Sequence, residues 1–368
     1  MTKLTQYDSY LNHDGPAAIV LKQPLMPVEG EDGVLFPATY ASGDGFAGGY
    51  NIDTDASGKN VALIDSVGSQ ANRIEPIFGE DDYKHLVPQI IVTAGEKQVS
   101  ILEAGHRAGD ALVRCSSLHA DLQAAFKSVL KGDATGLAKL APTSLVFGVW
   151  DSRDTQAKLP RVIASTIRAY NVRKLTRSAQ FNPATEYVND QLLEEPTDKA
   201  TKDAYSERGF IHIPATGSHG GVIADGGILR TATLGLAAIR LLNVNNDAEK
   251  TLALRRYILG LSLVAFTHNP SGYLRQGCIL VLNPNKPTEF VEVHPTGERK
   301  PCDITHTIAL EYATEAAKAF GVGESKTVPF DKEKAKADVK GEGDTKTKGK
   351  KGKKASADKA PTEGGTDA

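Results

Sequence analysis

The chain is poor in the features that announce most chemistries. Among 368 residues there are only three cysteines, Cys115, Cys278 and Cys302, far apart and without a Cys-x-x-Cys pair. That spacing excludes a disulfide framework and a zinc knuckle. There is one tryptophan, Trp150, and aromatic residues make up 6%. No apolar run is long enough to span a bilayer; the most apolar stretch, Ile258 to Phe266, is far too short. The polar opening MTKLTQYDSYLNHDG carries no signal-peptide core. A reducing cytoplasm is the expected setting. Net charge is only −2, so the chain as a whole does not advertise nucleic acid.

Familiar catalytic and cofactor motifs are missing too. Gly43 to Gly48 spells Gly-x-Gly-x-x-Gly, but turn-like GYNIDTDASGKN follows where a dinucleotide site needs a helix. Asp53, Asp55 and Ser57 begin like a calcium loop whose closing Glu position is Ile64. No Walker A sequence occurs. No His-x-x-x-His or His-x-Glu pattern occurs, so neither a metal site nor a cofactor is expected. The histidines form no constellation for acid–base catalysis, and no catalytic residue is assigned.

What remains is local. From Trp150 to Gln180, Arg153, Lys158, Arg161, Arg168, Arg173, Lys174 and Arg177 are opposed only by Asp151 and Asp154. One basic segment in a near-neutral body fits a groove that follows a nucleic-acid backbone. Trp150, beside Ser152 and Arg153, is either a base-stacking residue or a core residue at a strand end.

A second place is the join at Ser66. The apolar run Val61 to Ile64 leads into SVGSQANRIE, a helix start that Asp65, Ser66 or Ser69 can cap. Free N–H groups and the helix dipole there favour an anion. Gln70 and Arg73 share one face of that helix. His106 and Arg107 sit at a second helix start, where they either touch phosphate or cap. Asp65 is read as a capping residue.

The pattern predicts an α+β fold. Strands are expected over Ala17–Leu21, Val34–Tyr40, Val61–Ile64, Ser144–Trp150, Cys278–Leu282 and Phe290–Val293. A hairpin is expected over Gln89–Thr93 and Gln98–Leu102, closed near Gly95. Helices are expected over His106–Cys115, Leu118–Leu130, Ile228–Leu242, Ala248–Phe266 and Ile304–Phe320. Pro160 opens an expected amphipathic helix over Leu159–Tyr170. Asn182 to Arg208 is ambiguous, and Pro214 to Gly227 reads as a Gly/His loop. Residues 1–330 are taken as one domain with insertions. Residues 331–368 are taken as a disordered Lys-rich tail, because they cannot bury enough apolar surface. Its KTKGKKGKK run is either a solubilising segment or a non-specific attractor of nucleic acid.

Three blocks resemble a known family. They are SVGSQANRIE at Ser66–Glu75, LEAGHRAGDALVR at Leu102–Arg114, and APTSLVFGVWDSRDTQAKLPRVIASTIRAYNV at Ala141–Val172. The chain resembles the RAMP-superfamily backbone subunit of CRISPR Cascade complexes (the Cas-seven family), in its type I-G (formerly I-U) branch. The resemblance runs roughly from Gly15 to Val322, is loose between Asp190 and Gly209, and is absent after Val328. It implies an RRM-like (ferredoxin-like) core with palm, fingers and thumb insertions. It implies a non-catalytic crRNA-binding subunit that polymerises as a homo-oligomer filament along the guide in antiviral DNA targeting. The implied guide contacts are Ser69, Gln70, Asn72, Arg73, Arg153, Lys158, Arg161, Arg168 and Arg177, with Arg107 and Arg275 in second rank. The implied partners are crRNA, target DNA, further copies of the chain, a fused Cas-five/Cas-six-type subunit, a large Cascade subunit and a recruited helicase-nuclease, with no membrane. The alternative is a RAMP-type endoribonuclease that processes CRISPR repeat RNA. A third class, a metabolic enzyme with a pocket at the Gly/His loop, is the remaining contrast.

Overall fold

The computed structural model describes residues 3–269 and 272–340. The Lys346–Lys354 run therefore lies outside the described residues. A nine-stranded sheet organises the chain, and its paired neighbours are antiparallel. Strand Ala18–Pro27 pairs with Ile228–Gly235, which pairs in turn with Ile163–Tyr170. The other edge of Ala18–Pro27 is met by Glu289–Val293 along Ala18–Lys22 and by Cys278–Leu282 along Leu25–Pro27. In chain order these core positions lie 4-1-3-2. Helix Val67–Ile74 falls between the first and second and packs on the second; helix Ala248–Thr267 falls between the third and fourth. That is the βαββαβ ferredoxin-like arrangement, heavily inserted. Strands Asn60–Asp65 and Ile52–Thr54 extend the sheet beyond Ile163–Tyr170.

The hydrophobic pattern explains the layers. Ile228, Arg230, Ala232 and Leu234 alternate inward along one strand, as do Ile19 and Leu21 along its neighbour. The apolar helices Ala248–Thr267 and His306–Phe320 pack together, and Gly260 lets them approach. A Cβ at Gly260 would lie 2.8 Å from Ala313 Cα, inside contact distance. The fully buried Tyr257 anchors this layer by donating its hydroxyl to Leu86 O at 2.8 Å.

Several expectations give way here. Leu159–Tyr170 is not a helix; it forms strands Lys158–Leu159 and Ile163–Tyr170. The β-branched Val162, Ile163, Thr166 and Ile167 favour a pleated surface, and the inward parity of Ile163, Ser165, Ile167 and Ala169 suits it. Ser144–Trp150 is mostly helix Thr143–Phe147, ended at Gly148 with φ 78°. That helix is buried on every side, so its apolar run carries no period to distinguish it from a strand. Ile228–Leu242 splits into a strand and the short helix Leu236–Arg240. His106–Cys115 reduces to the turn Arg107–Gly109 and the single helical turn Ala111–Arg114. Val34–Tyr40 keeps only Thr39–Tyr40 as a strand, plus a bridge from Leu35 to Val222.

The expected Gly/His loop is the strand Ile213–Ala224, paired with Val172–Phe181. Gly220 approaches Thr176 so closely that a Cβ would sit 2.6 Å from its carbonyl carbon, and Gly221 takes φ 97° beside a register shift. These glycines mark a bulged ladder. The hairpin is inserted between the second and third core strands. Asn60 holds its root, donating to Val172 O at 3.0 Å and accepting from Val172 N at 2.6 Å. It also carries helix Lys199–Glu207, which has no buried residue, and the ring contacts of Tyr187 and Tyr205 with Phe210.

Residues 331–340, expected to belong to the tail, are held against the body. Asp331 N donates to Cys115 O at 2.7 Å, Asp331 caps a helix over 332–340, and Asp338 pairs with Arg114 at 3.0 Å. Those contacts order a segment whose composition alone argues against folding.

Candidate nucleic-acid interface

Ser66 caps helix Val67–Ile74, accepting from Ser69 N at 3.2 Å. The Ser69 hydroxyl lies 3.1 Å from that of Ser66. Asp65 does not cap. Its carboxylate accepts from Gln70 Nε2 at 2.6 Å and from Arg73 Nε at 3.1 Å. Gln70 Oε1 accepts from the Ser165 hydroxyl at 2.9 Å, and Ser165 Oγ accepts from Arg230 Nε at 3.1 Å. Arg230 Nη1 then donates to Gln23 Oε1 at 2.9 Å. This buried chain ties the helix to four strands. Gln70 is 2% exposed, so its amide is a structural link, not an open phosphate contact. Asn72 and Arg73 remain at the surface.

Arg107 is likewise engaged inside the fold. It has φ 53°, is 4% exposed, and places Nε 2.5 Å from Glu75 Oε2. Its Nη1 donates to Gly148 O at 3.2 Å, and its guanidinium lies over the Phe147 ring. Burial pushes the Glu75 carboxyl up to about 7, against the opposing pull of Arg107 and Thr143. The choice between phosphate contact and structure falls to structure for Arg107. Its Nη2 also reaches Asn72 Oδ1 at 3.4 Å, linking the loop to the outer side of the helix.

On that side opens a cleft of about 1120 Å³. Arg107, Arg114, Arg153, Lys158 and Arg161 line it, and among the described residues Asp338 is the only carboxylate residue in its walls. Trp150 stands at its rim, 58% exposed, with Lys158 Nζ 5.5 Å from the ring centre. The hairpin pairing of Val149–Trp150 with Lys158–Leu159 sets this geometry. The intervening loop is held by Asp151, which accepts from Thr155 N at 2.8 Å and Thr155 Oγ1 at 2.6 Å. Burial raises the Asp151 carboxyl, but the hydrogen bonds from Thr155, Asp154 and Arg153 outweigh it and hold the group below its ordinary value. Arg161 donates to Phe147 O at 3.1 Å; burial, then the neighbouring Arg107, lowers its pKa.

The predicted contacts thus fall into three sets. Arg153, Lys158 and Arg161 share the cleft, with Arg107 in its wall. Ser69, Gln70, Asn72 and Arg73 lie on the adjacent helix. Arg168, Arg177 and Arg275 stand apart. Arg168 donates to Thr166 Oγ1 at 2.8 Å on the sheet face opposite Ser165 and Ile167. Arg177 is on the inserted hairpin, and Arg275 on the strand Tyr273–Arg275. Sequence reasoning passed over Arg114 and Arg230. The available signal for Arg230 was a charged residue at an inward position of ILRTATL, which the expected helix concealed. A second cavity of about 450 Å³ is lined by Gln70 and Arg73 of helix Val67–Ile74 together with Arg230.

Among the described residues no helix is long and apolar enough to cross a membrane. Residues 19–174 match the family model described as CRISPR-associated protein GSU0053. The match covers the first two core strands, helix Val67–Ile74 and the cleft hairpin, and shows that this part of the chain is similar to CRISPR-associated proteins. No curated protein matches the chain.

Proposed function

We propose that the chain is the non-catalytic backbone subunit that coats the guide RNA of a type I Cascade of the I-G branch. The observation that carries this reading is the cleft near helix Val67–Ile74, where Arg153, Lys158 and Arg161 gather below an exposed tryptophan while Arg107 and Arg114 are taken up by Glu75 and Asp338. Cations that meet phosphates position a strand without reading its sequence. An exposed indole accepts the face of any base. Together they suit a protein that must hold any spacer sequence and leave target recognition to base pairing. The CRISPR-associated match over residues 19–174 supports the same system. The inserted hairpin, with few buried residues of its own, is suited to lie against RNA or a neighbouring copy. In this reading the partners are further copies of the chain, crRNA, target DNA, a fused Cas-five/Cas-six-type subunit and a large subunit. A separate helicase-nuclease performs the cutting.

The test is co-expression with a repeat–spacer array, followed by nuclease footprinting of the RNA that co-purifies. Regularly spaced protection on an array-derived RNA is the expected result. Cleavage of repeat RNA by the purified chain would move it to the processing endoribonucleases.

A further inference from the structure

The cavity behind helix Val67–Ile74 holds a buried cation without a counter-charge. Arg230 is 4% exposed, and among the described residues no carboxylate pairs with it. Its hydrogen-bond partners are the neutral Ser165 and Gln23. Burial alone pushes its pKa down to about 10, which still leaves it charged at neutral pH. Desolvating a guanidinium without an opposing charge is costly, and natural folds pair such groups. Asp65, the nearest acid along the network, is already bonded to Arg73 and Gln70. Two arginines therefore line this cavity, and Asp65, which is not in its walls, pairs among the described residues only with Arg73. Its other walls include the apolar Ile167 and Leu280. A volume of about 450 Å³ lies within the range of small-ligand pockets.

We propose that this pocket takes one nucleotide unit, its phosphate against Arg230 and Arg73 and its base or sugar against Ile167 and Leu280. The missing counter-ion of Arg230 is then supplied by the ligand. The inference deepens the RNA-coat reading and rests on it for the polymer that delivers the nucleotide. Free nucleotides share the same chemistry, so the test separates the two sources.

Gln23→Glu is the decisive variant. It is nearly isosteric, and it places a carboxylate where Gln23 Oε1 now accepts from Arg230 at 2.9 Å. The expected result is a higher melting temperature with weaker RNA binding. Loss of one charge-assisted contact should lower RNA affinity about tenfold and the log–log salt slope by about one. Arg230→Met, which keeps bulk and removes charge, should reproduce the affinity loss. Unchanged RNA affinity and slope in both variants overturns the pocket proposal and leaves the RNA coat standing. If the wild-type chain binds no RNA, the coat reading fails, and the pocket is judged with AMP as probe. A rise in wild-type melting temperature with AMP, absent in Gln23→Glu, supports the pocket; no rise overturns it.

Discussion

Two buried arginines on either side of one short helix show opposite solutions to the same problem. Arg107 meets Glu75 at 2.5 Å and links the loop at Gly105 to the helix. Arg230 meets only neutral groups. The first arrangement balances its charge within the fold. The second leaves a desolvated charge facing a cavity. The difference teaches that burial of a cation does not by itself distinguish structure from binding. What distinguishes them is whether the fold supplies the opposing charge.

The comparison breaks most visibly at Arg107. Above about pH 7, where the Glu75 carboxyl is ionised, Arg107→Ala strands that charge in the interior, and loss of one partner of a buried pair costs about 3–5 kcal/mol. Urea denaturation should show that loss, whereas Arg230→Met should lose far less or gain stability. Equal destabilisation by the two changes would erase the distinction.

Titration sharpens the contrast. The folded Glu75 carboxyl is raised from 4.5 to about 7, chiefly by burial. Its folded state therefore holds a proton that the unfolded chain releases at lower pH. The associated stability is fully present below about 4.5 and is lost as pH rises through about 7. Glu75→Gln should flatten the denaturation midpoint across that window. A wild-type midpoint that is flat from pH 4.5 to pH 7 would remove Glu75 as its source.

Smaller effects belong to the open side of the helix. Trp150→Ala should weaken RNA binding by about 1–3 kcal/mol per stacked base while leaving the melting temperature nearly unchanged. A fall in stability with intact RNA binding would return Trp150 to the packing role. Arg73→Ala should lower the salt slope of RNA binding by about one, uniformly across sequences. An unchanged slope would confine Arg73 to its pair with Asp65.

Much of this architecture is written locally in the chain. The serine cap and Gln70–Arg73 spacing mark helix Val67–Ile74. Gly95 marks the Ile90–Ala94 and Lys97–Ser100 hairpin, a long apolar run marks Ala248–Thr267, and an amphipathic period marks His306–Phe320. The misread segments share a physical cause. Thr143–Phe147 is buried all round, so it lacks an amphipathic period. Ile163–Tyr170 satisfies helical and strand spacing at once, and only its antiparallel neighbours decide between them. The glycines of Ile213–Ala224 look like a loop because the close approach that requires them comes from a distant strand. The basic residues after Trp150 were legible as a group, but their division was not. Alternation turns Arg168 away from Ile167, while the Trp150 hairpin gathers Lys158 and Arg161 into the cleft.

The central claim is that many copies of this chain coat one RNA. Native mass spectrometry of the particle purified after co-expression with a repeat–spacer array measures that directly. Several copies on each array-derived RNA, increasing in number when the spacer is lengthened, is the predicted result. A single copy per RNA, or a chain recovered without RNA, would contradict it.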